Sequence, residues 1–168
     1  MSQLSFFNKI PSSKLWVYFF LLLAGAMQTL ALAPFDFWIL GPLSIALCLF
    51  VTNGLNGDPQ KKNGFIYGGF FGLGLFGSGA SWIYVSINTY GYASPALASL
   101  LTLAFVLVLS FFPAMVFWTH FKLQTASHIK NHHLKNGVLF LCLWVIGDAL
   151  RTEVLTGFPW LFLGYGHL

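Results

Sequence analysis

Charged side chains are scarce in this sequence. Its 168 residues include eight Lys and Arg and four Asp and Glu, so that 7% of the chain is charged, against about 25% in an average soluble domain. That amount of polar surface does not cover a water-soluble fold of this size. The 57% of hydrophobic residues, with 19 Phe and six Trp, also exclude a disordered chain, because disordered segments are poor in aromatic residues. The composition predicts an integral membrane protein.

Cysteine is nearly absent as well. The two cysteines, Cys48 and Cys142, lie within apolar runs, which gives neither a disulfide framework nor metal-ligand spacing. A GxGxxG pattern occurs at Gly72–Gly77, but it lacks the preceding strand and the acidic partner of a dinucleotide site. The histidines of residues 128–133 stand among lysines, which repel a cation. The sequence therefore predicts no cofactor and no metal.

Apolar stretches, by contrast, are long. A helix needs about 20 apolar residues to cross a bilayer, and five stretches reach or approach that length. They cover residues 15–33, 37–51, 65–87, 96–118 and 138–155. Pro113 predicts a kink in the fourth span, and we expect His120 to lie where that span meets water. The predicted fold class is all-α integral membrane, a polytopic helical bundle of about five transmembrane helices.

Basic residues are concentrated in alternate connections. Seven of the eight lie in three places: before the first span, between the second and third spans, and between the fourth and fifth spans. Arg151 is the exception. By the positive-inside rule those connections are cytoplasmic, so we expect a cytoplasmic N-terminus and an outer-face turn or re-entrant segment at residues 156–168. The net charge of +4 then reflects orientation, and no nucleic-acid partner is predicted.

Several short patterns predict local contacts. Gly68 and Gly72 have the small-xxx-small spacing that lets membrane helices approach closely. Asp148 and Arg151 are three residues apart and would pair on one helix face, in a position where ionisable groups often mark a functional region. The Gly-Phe-Pro-Trp run at residues 157–160 cannot continue a straight helix. It predicts a turn with aromatic anchors at headgroup level.

Three motifs, in order along the chain, resemble the signatures of one family. They are Ala31-Leu32-Ala33-Pro34-Phe35-Asp36-Phe37-Trp38, then Gly72–Gly79 followed by Ser81-Trp82-Ile83-Tyr84-Val85-Ser86-Ile87, and Leu155-Thr156-Gly157-Phe158-Pro159-Trp160 with Gly164-Tyr165. On these motifs the chain resembles the apolipoprotein N-acyltransferases over nearly its whole length. It departs from them at residues 148–153, where an acidic-aromatic-Leu-Arg-Gly motif is usual and Asp-Ala-Leu-Arg-Thr-Glu stands here.

The resemblance implies an enzyme of lipoprotein maturation in the bacterial inner (cytoplasmic) membrane. Such enzymes move an acyl chain from a phospholipid to the N-terminal diacylglyceryl-cysteine of a lipoprotein. The implied partners are therefore a phospholipid acyl donor, an apolipoprotein acceptor and membrane lipids. The family has eight spans and a periplasmic nitrilase-like domain with a Glu-Lys-Cys triad, which no residue here matches. We expect residues 1–168 to be a partial N-terminal transmembrane domain, inactive alone and without catalytic residues, with a periplasmic C-terminal end.

The resemblance also implies where a lipid cavity or a structural motif would lie. The candidate residues are Trp82, Tyr84, Asp148, Arg151, Gly157, Phe158, Pro159, Trp160 and Tyr165. Two alternatives to this function stay open at this point. One is a stand-alone membrane scaffold or small transporter subunit, and the other is an inactive truncated product.

Overall fold

The computed structural model describes residues 14–54, 63–126, 133–154 and 160–167. All regular structure in these residues is helical, which confirms the predicted all-α class. The six α-helices found there are α1 (Lys14–Leu30), α2 (Leu40–Gly54), α3 (Gly64–Gly79), α4 (Trp82–Val85), α5 (Pro95–Ala126) and α6 (His133–Val154). A π-helical turn, Ser86–Tyr90, continues α4, and a 3₁₀ turn, Leu163–His167, follows α6.

Helix α5 is the longest element and shows why these apolar runs are helical. Ser94 precedes it and accepts a hydrogen bond from the Leu97 N–H at 3.4 Å, while Pro95 occupies the first helical position, where its missing N–H costs nothing. The helix continues past Pro113 as one element. Its 32 residues extend over about 48 Å, which exceeds the hydrocarbon core of a bilayer.

By length and composition, one helix in the described residues can cross a membrane by itself, namely residues Pro95–Gln124 of α5. Helix α3 together with Trp82–Tyr90 meets the same test as a bent pair, with an angle of 49° at the break. Apolar helices too short for the test cover Leu15–Leu30 and Leu40–Val51. Helix α6 has 22 residues, but Asp148, Arg151 and Glu153 occupy its last two turns.

Helix α3 lies at the centre of the bundle. It packs against α1 and α5 with two different faces, while α2 packs on α1 and α6 on α5. The helices run up and down between two ends. We call these the Pro34 end, where α1 leads into α2 and α3 into α5, and the Lys122 end, where α5 leads into α6.

Helices α1 and α3 are parallel neighbours. Near the start of α1, Tyr18 stacks on Phe70 with ring centroids 4.7 Å apart. Near the end of α1, the Thr29 and Ser78 hydroxyl oxygens are 2.8 Å apart. Two helices that run in the same direction cannot follow each other through a tight turn. Helix α2 supplies the return path, and its Ser44 hydroxyl donates to the Ala24 carbonyl oxygen at 2.6 Å.

Glycines allow α3 to approach both neighbours closely. Gly68 faces the Pro113 carbonyl oxygen of α5, and a Cβ at Gly72 would come 2.7 Å from Ser110 Cα. On the other face, Gly74 lies against the Leu22 carbonyl oxygen of α1. The prediction that Gly68 and Gly72 permit close helix packing is confirmed, because no larger residue fits at either contact.

The buried centre is aromatic. The Phe71 ring of α3 lies 5.9 Å from Phe117 of α5 and 5.3 Å from Trp144 of α6, at 90°. Phe117 in turn meets Phe140 edge-on at 5.2 Å. In the two perpendicular contacts, Phe71–Trp144 and Phe117–Phe140, a positive ring edge meets a negative ring face. Together the three contacts join α3, α5 and α6.

Buried polar side chains lie between α5 and α6 near the Lys122 end. The Gln124 amide donates to the Asn136 side-chain oxygen at 2.7 Å, and both residues are 1% exposed. His120 is fully buried, with its ring edge-on to Phe140 at 5.1 Å. The expectation that His120 meets water is therefore wrong, because α6 covers the face of α5 on which it lies.

Candidate functional site at the Pro34 end

Most of the residues predicted for a site lie at the Pro34 end. The structure describes six of them there: Trp82, Tyr84, Asp148, Arg151, Trp160 and Tyr165. The other three, Gly157, Phe158 and Pro159, lie outside the described residues. Three elements carry the six residues, namely α4, the last turns of α6, and the 160–167 segment, which lies beside the end of α3.

The predicted pair of Asp148 and Arg151 is confirmed. An Arg151 Nη atom donates to an Asp148 carboxylate oxygen at 2.9 Å. The two side chains differ in environment, since that of Arg151 is 1% exposed and that of Asp148 is 26% exposed. The backbone carbonyl oxygen of Asp148 also accepts a hydrogen bond from the Thr152 hydroxyl at 3.1 Å. A buried guanidinium needs such a counter-charge, because an unpaired one would be desolvated without compensation.

Aromatic rings complete the surroundings of Arg151. Its guanidinium carbon lies 5.1 Å from the centre of the Phe76 ring of α3 and 4.7 Å from that of Phe162. Both distances are within the range of cation–π attraction. Arg151 thus joins α6, α3 and the 160–167 segment. Neither phenylalanine was among the predicted residues, because sequence gives no periodic relation between Arg151 and these two positions.

The 160–167 segment crosses the end of the bundle. The Trp160 ring is 6.0 Å from that of Trp82, and the Phe162 ring is 5.3 Å from that of Tyr165. Leu161 has φ 64°, which places a non-glycine residue in the left-handed region. Its side chain covers Gly79, where a Cβ would come 2.6 Å from Leu161 Cδ1. The segment is therefore packed onto the bundle.

The break between α3 and α4 positions Trp82. The Ser78 hydroxyl donates to the Gly74 carbonyl oxygen at 2.7 Å. It also lies within hydrogen-bond distance of the Thr29 hydroxyl of α1. Gly/Ser pairs are frequent places for a helix to bend, and the chain turns by 49° here. Tyr84 is half-buried on α4, and within the described chain no ring contact or hydrogen bond joins it to the other five candidates.

Exposed apolar and aromatic side chains surround this site. In the connection from α1 to α2 they are Phe35, Phe37, Trp38 and Ile39, all between 52% and 60% exposed. Asp36 lies among them with φ 56°, a conformation that Asp tolerates. Trp82 and Trp160 are about half exposed as well. Aromatic side chains in this number are typical of the boundary between lipid tails and headgroups.

A groove between α5 and α6 was not predicted from the sequence. It encloses about 720 Å³ and is lined by side chains from residues 107–119 and 143–154, all apolar apart from Thr119. Its floor includes Gly147, where a Cβ would come 2.5 Å from the Val116 side chain. A groove of this size and lining can hold an apolar chain.

Groups suited to bond-making are sparse in the described residues. Cys48 is buried in α2 and Cys142 is exposed on α6, both as free thiols. The described part of the chain brings no three His, Cys, Asp or Glu side chains together in a way that could hold a metal ion. What the Pro34 end offers is an apolar and aromatic surface around one buried ion pair.

Comparison with known proteins bears on this arrangement. The family model described as the apolipoprotein N-acyltransferase N-terminal domain matches residues 24–168. The apolipoprotein N-acyltransferase of Pseudomonas aeruginosa (strain LESB58) is 45% identical over 147 residues, which cover 88% of this chain and 27% of that protein. The Pseudomonas putida enzyme is 43% identical, with 88% and 28% covered, and that of Photobacterium profundum is 38% identical, with 86% and 26% covered. The chain thus spans about a quarter of the length of these curated relatives.

Proposed function

The chain belongs to the apolipoprotein N-acyltransferase family, and we propose that residues 1–168 form the N-terminal transmembrane domain of such an enzyme. The observation that carries this proposal is the family match over residues 24–168. The reaction proposed for the intact enzyme is transfer of an acyl chain from a phospholipid to the N-terminal diacylglyceryl-cysteine of a lipoprotein. Its partners would be the phospholipid donor, the apolipoprotein acceptor and the surrounding membrane lipids.

The proposed location is the bacterial inner membrane, with five crossings and a cytoplasmic N-terminus. Charge supports this orientation, because Lys122 and Lys135 lie at the Lys122 end, whereas Asp36, Asp148 and Glu153 lie at the Pro34 end. The lysine-bearing end would face the cytoplasm. Helix α1, with 17 residues, rises about 25 Å, and the apolar side chains that follow it would extend its contact with lipid.

In this orientation the Pro34 end lies at the periplasmic face. We propose that its aromatic residues, Trp82, Trp160 and Tyr165 among them, contact phospholipid near the headgroups and help shape the lipid-facing cavity of the enzyme. Gly157, Phe158 and Pro159, which lie outside the described residues, are proposed to belong to the same lipid-cavity or structural motif. Binding and scaffolding are the roles that suit these side chains. No catalytic role is proposed for any residue of this chain.

A chimera tests the function. Residues 24–168 would replace the matching part of the Pseudomonas aeruginosa relative, in cells depleted of their own enzyme. Mass spectrometry of lipoprotein N-terminal peptides then measures acylation of the α-amino group. We expect the chimera to restore N-acylation and the 168-residue chain alone to give none.

Two matched variants control for folding in this experiment. Gly74→Ala places a methyl group against the Leu22 backbone, whereas a Cβ at Gly77 meets no atom of the described residues within 4 Å. The first should abolish activity of the chimera and the second should not. A chimera that reaches the membrane at the normal level and leaves all lipoprotein amino groups free would overturn the proposal, and the scaffold or transporter alternative would then be preferred.

A further inference from the structure

Arg151 has more contacts outside its own helix than an ion pair requires. It is 1% exposed and pairs with Asp148 one turn earlier in α6. Its charge is also flanked by Phe76 of α3 and Phe162 of the 160–167 segment, at 5.1 and 4.7 Å. A pair needed only to neutralise a charge within α6 would not require rings from two other elements.

The guanidinium group explains why arginine suits this position. It is planar and always charged, and it combines hydrogen bonding in its plane with attraction to rings over its face. One Nη atom donates to Asp148, while Nε and the other Nη atom have no hydrogen-bond partner among the described residues. Within the described residues, the guanidinium is therefore stabilised by one ion pair and by two ring contacts. Burial strengthens such contacts, because water does not compete for the cation.

The 160–167 segment needs an external restraint. Leu161 has φ 64°, and a non-glycine residue keeps a left-handed conformation only when its surroundings impose it. Two apolar contacts help: Leu161 lies over Gly79, and the Leu163 Cδ1 atom would be 3.2 Å from a Cβ at Gly41. Phe162 stands between these two leucines and carries the contact with Arg151.

We propose that Arg151 is a positioning residue that holds the 160–167 segment across the break between α3 and α4. It acts through Phe162, and it thereby fixes Trp160 against Trp82. Asp148 orients the guanidinium from within α6, and Phe76 ties it to α3. This inference concerns the geometry of the chain and does not depend on the proposed function.

Disulfide trapping measures that geometry. In a full-chain background with Cys48→Ala and Cys142→Ala, the pair Gly79→Cys and Leu161→Cys reports on docking of the segment. The pair Thr29→Cys and Ser78→Cys is the control, because those hydroxyl oxygens are 2.8 Å apart and join α1 to α3 without Arg151. The rate of oxidative cross-linking is measured for both pairs in native membranes.

Arg151→Lys keeps the charge and can still pair with Asp148, but it lacks the planar group. We expect it to slow the 79–161 cross-link by roughly tenfold, a factor between those of an exposed and a desolvated cation–π contact, and to leave the 29–78 rate unchanged. Phe162→Leu should have the same effect, and the two substitutions together should add little. An unchanged 79–161 rate would overturn the proposal. Equal slowing of both pairs would also overturn it, because Arg151 would then stabilise the bundle as a whole.

Discussion

Gly74 of α3 lies directly against the carbonyl oxygen of Leu22 in α1. A methyl group at this position would force the two backbones apart, so we expect Gly74→Ala to lower the free energy of unfolding by about 3 kcal/mol. Gly77→Ala is the matched control, because a Cβ there meets nothing within 4 Å in the part of the chain that the structure describes, and alanine favours a helix by up to about 1 kcal/mol. Unfolding by SDS, followed by tryptophan fluorescence, measures both. Similar values for the two variants would contradict the close packing of α1 on α3.

The ion pair near the end of α6 gives a second prediction. Asp148→Leu leaves the buried Arg151 guanidinium without its counter-charge, and we expect a loss of about 3 kcal/mol in the same unfolding experiment. Adding Arg151→Met removes the uncompensated charge and should recover most of that loss. If the double variant is less stable than Asp148→Leu alone, the attraction of Arg151 to its neighbouring rings exceeds its cost of burial.

The buried amide pair at the Lys122 end allows a similar cycle. Gln124→Leu leaves the Asn136 side chain, 1% exposed, without the donor that now lies 2.7 Å away. We expect a loss of about 1–3 kcal/mol, the range for removing one partner of a buried hydrogen bond. Gln124→Leu together with Asn136→Leu should cost less than the sum of the two single losses. Strictly additive losses would show that the two amides do not depend on each other.

Orientation is tested by labelling with a membrane-impermeant maleimide. Tyr92→Cys and Lys135→Cys are introduced singly into a background with Cys48→Ala and Cys142→Ala. Both positions are exposed, and they lie at opposite ends of the bundle. The proposed topology predicts labelling of position 92 from the periplasmic side of intact inner membranes and of position 135 only after permeabilisation. The reverse pattern would contradict a cytoplasmic N-terminus.

The role proposed for Trp160 is tested in an intact, full-length enzyme. Trp160→Ala removes an exposed ring from the Pro34 end while leaving membrane insertion unaffected. We expect the phospholipid concentration at half-maximal rate to rise by about tenfold, which is the effect of losing one aromatic contact. Trp16→Ala is the control, because Trp16 is an equally exposed ring near the start of α1. An unchanged dependence of the rate on phospholipid concentration would show that Trp160 does not contribute to phospholipid binding.

The helical class and two local contacts could be predicted from sequence. Apolar runs of this length have few alternatives to a helix in a membrane, and the spacing of Gly68 and Gly72 predicted that their helix approaches another one closely, without showing that the partner is α5. The three-residue separation of Asp148 and Arg151 likewise predicted their pairing. In each of these cases the interaction follows from the geometry of one helix, which sequence spacing encodes.

Contacts between distant segments could not be predicted in this way. His120 is buried because α6 packs over it, and nothing in the residues around position 120 shows where α6 will lie. The contacts of Phe162 and Leu161 depend on the path of the chain after α6. The bend at the end of α3 had a usable indication, since residues 77–81 form a run of small residues, Gly-Ser-Gly-Ala-Ser, in which helices often bend.

The parallel arrangement of α1 and α3 has a consequence for biogenesis. Chains leave the ribosome N-terminus first, so the α1–α2 hairpin is made while the Gly25 face of α1, which packs on the α3 backbone, is still uncovered. Arrival of α3 closes that face, α5 then docks on α3, and α6 docks on α5. Each main contact forms with a helix made shortly before, so the bundle can be assembled in the order of its synthesis.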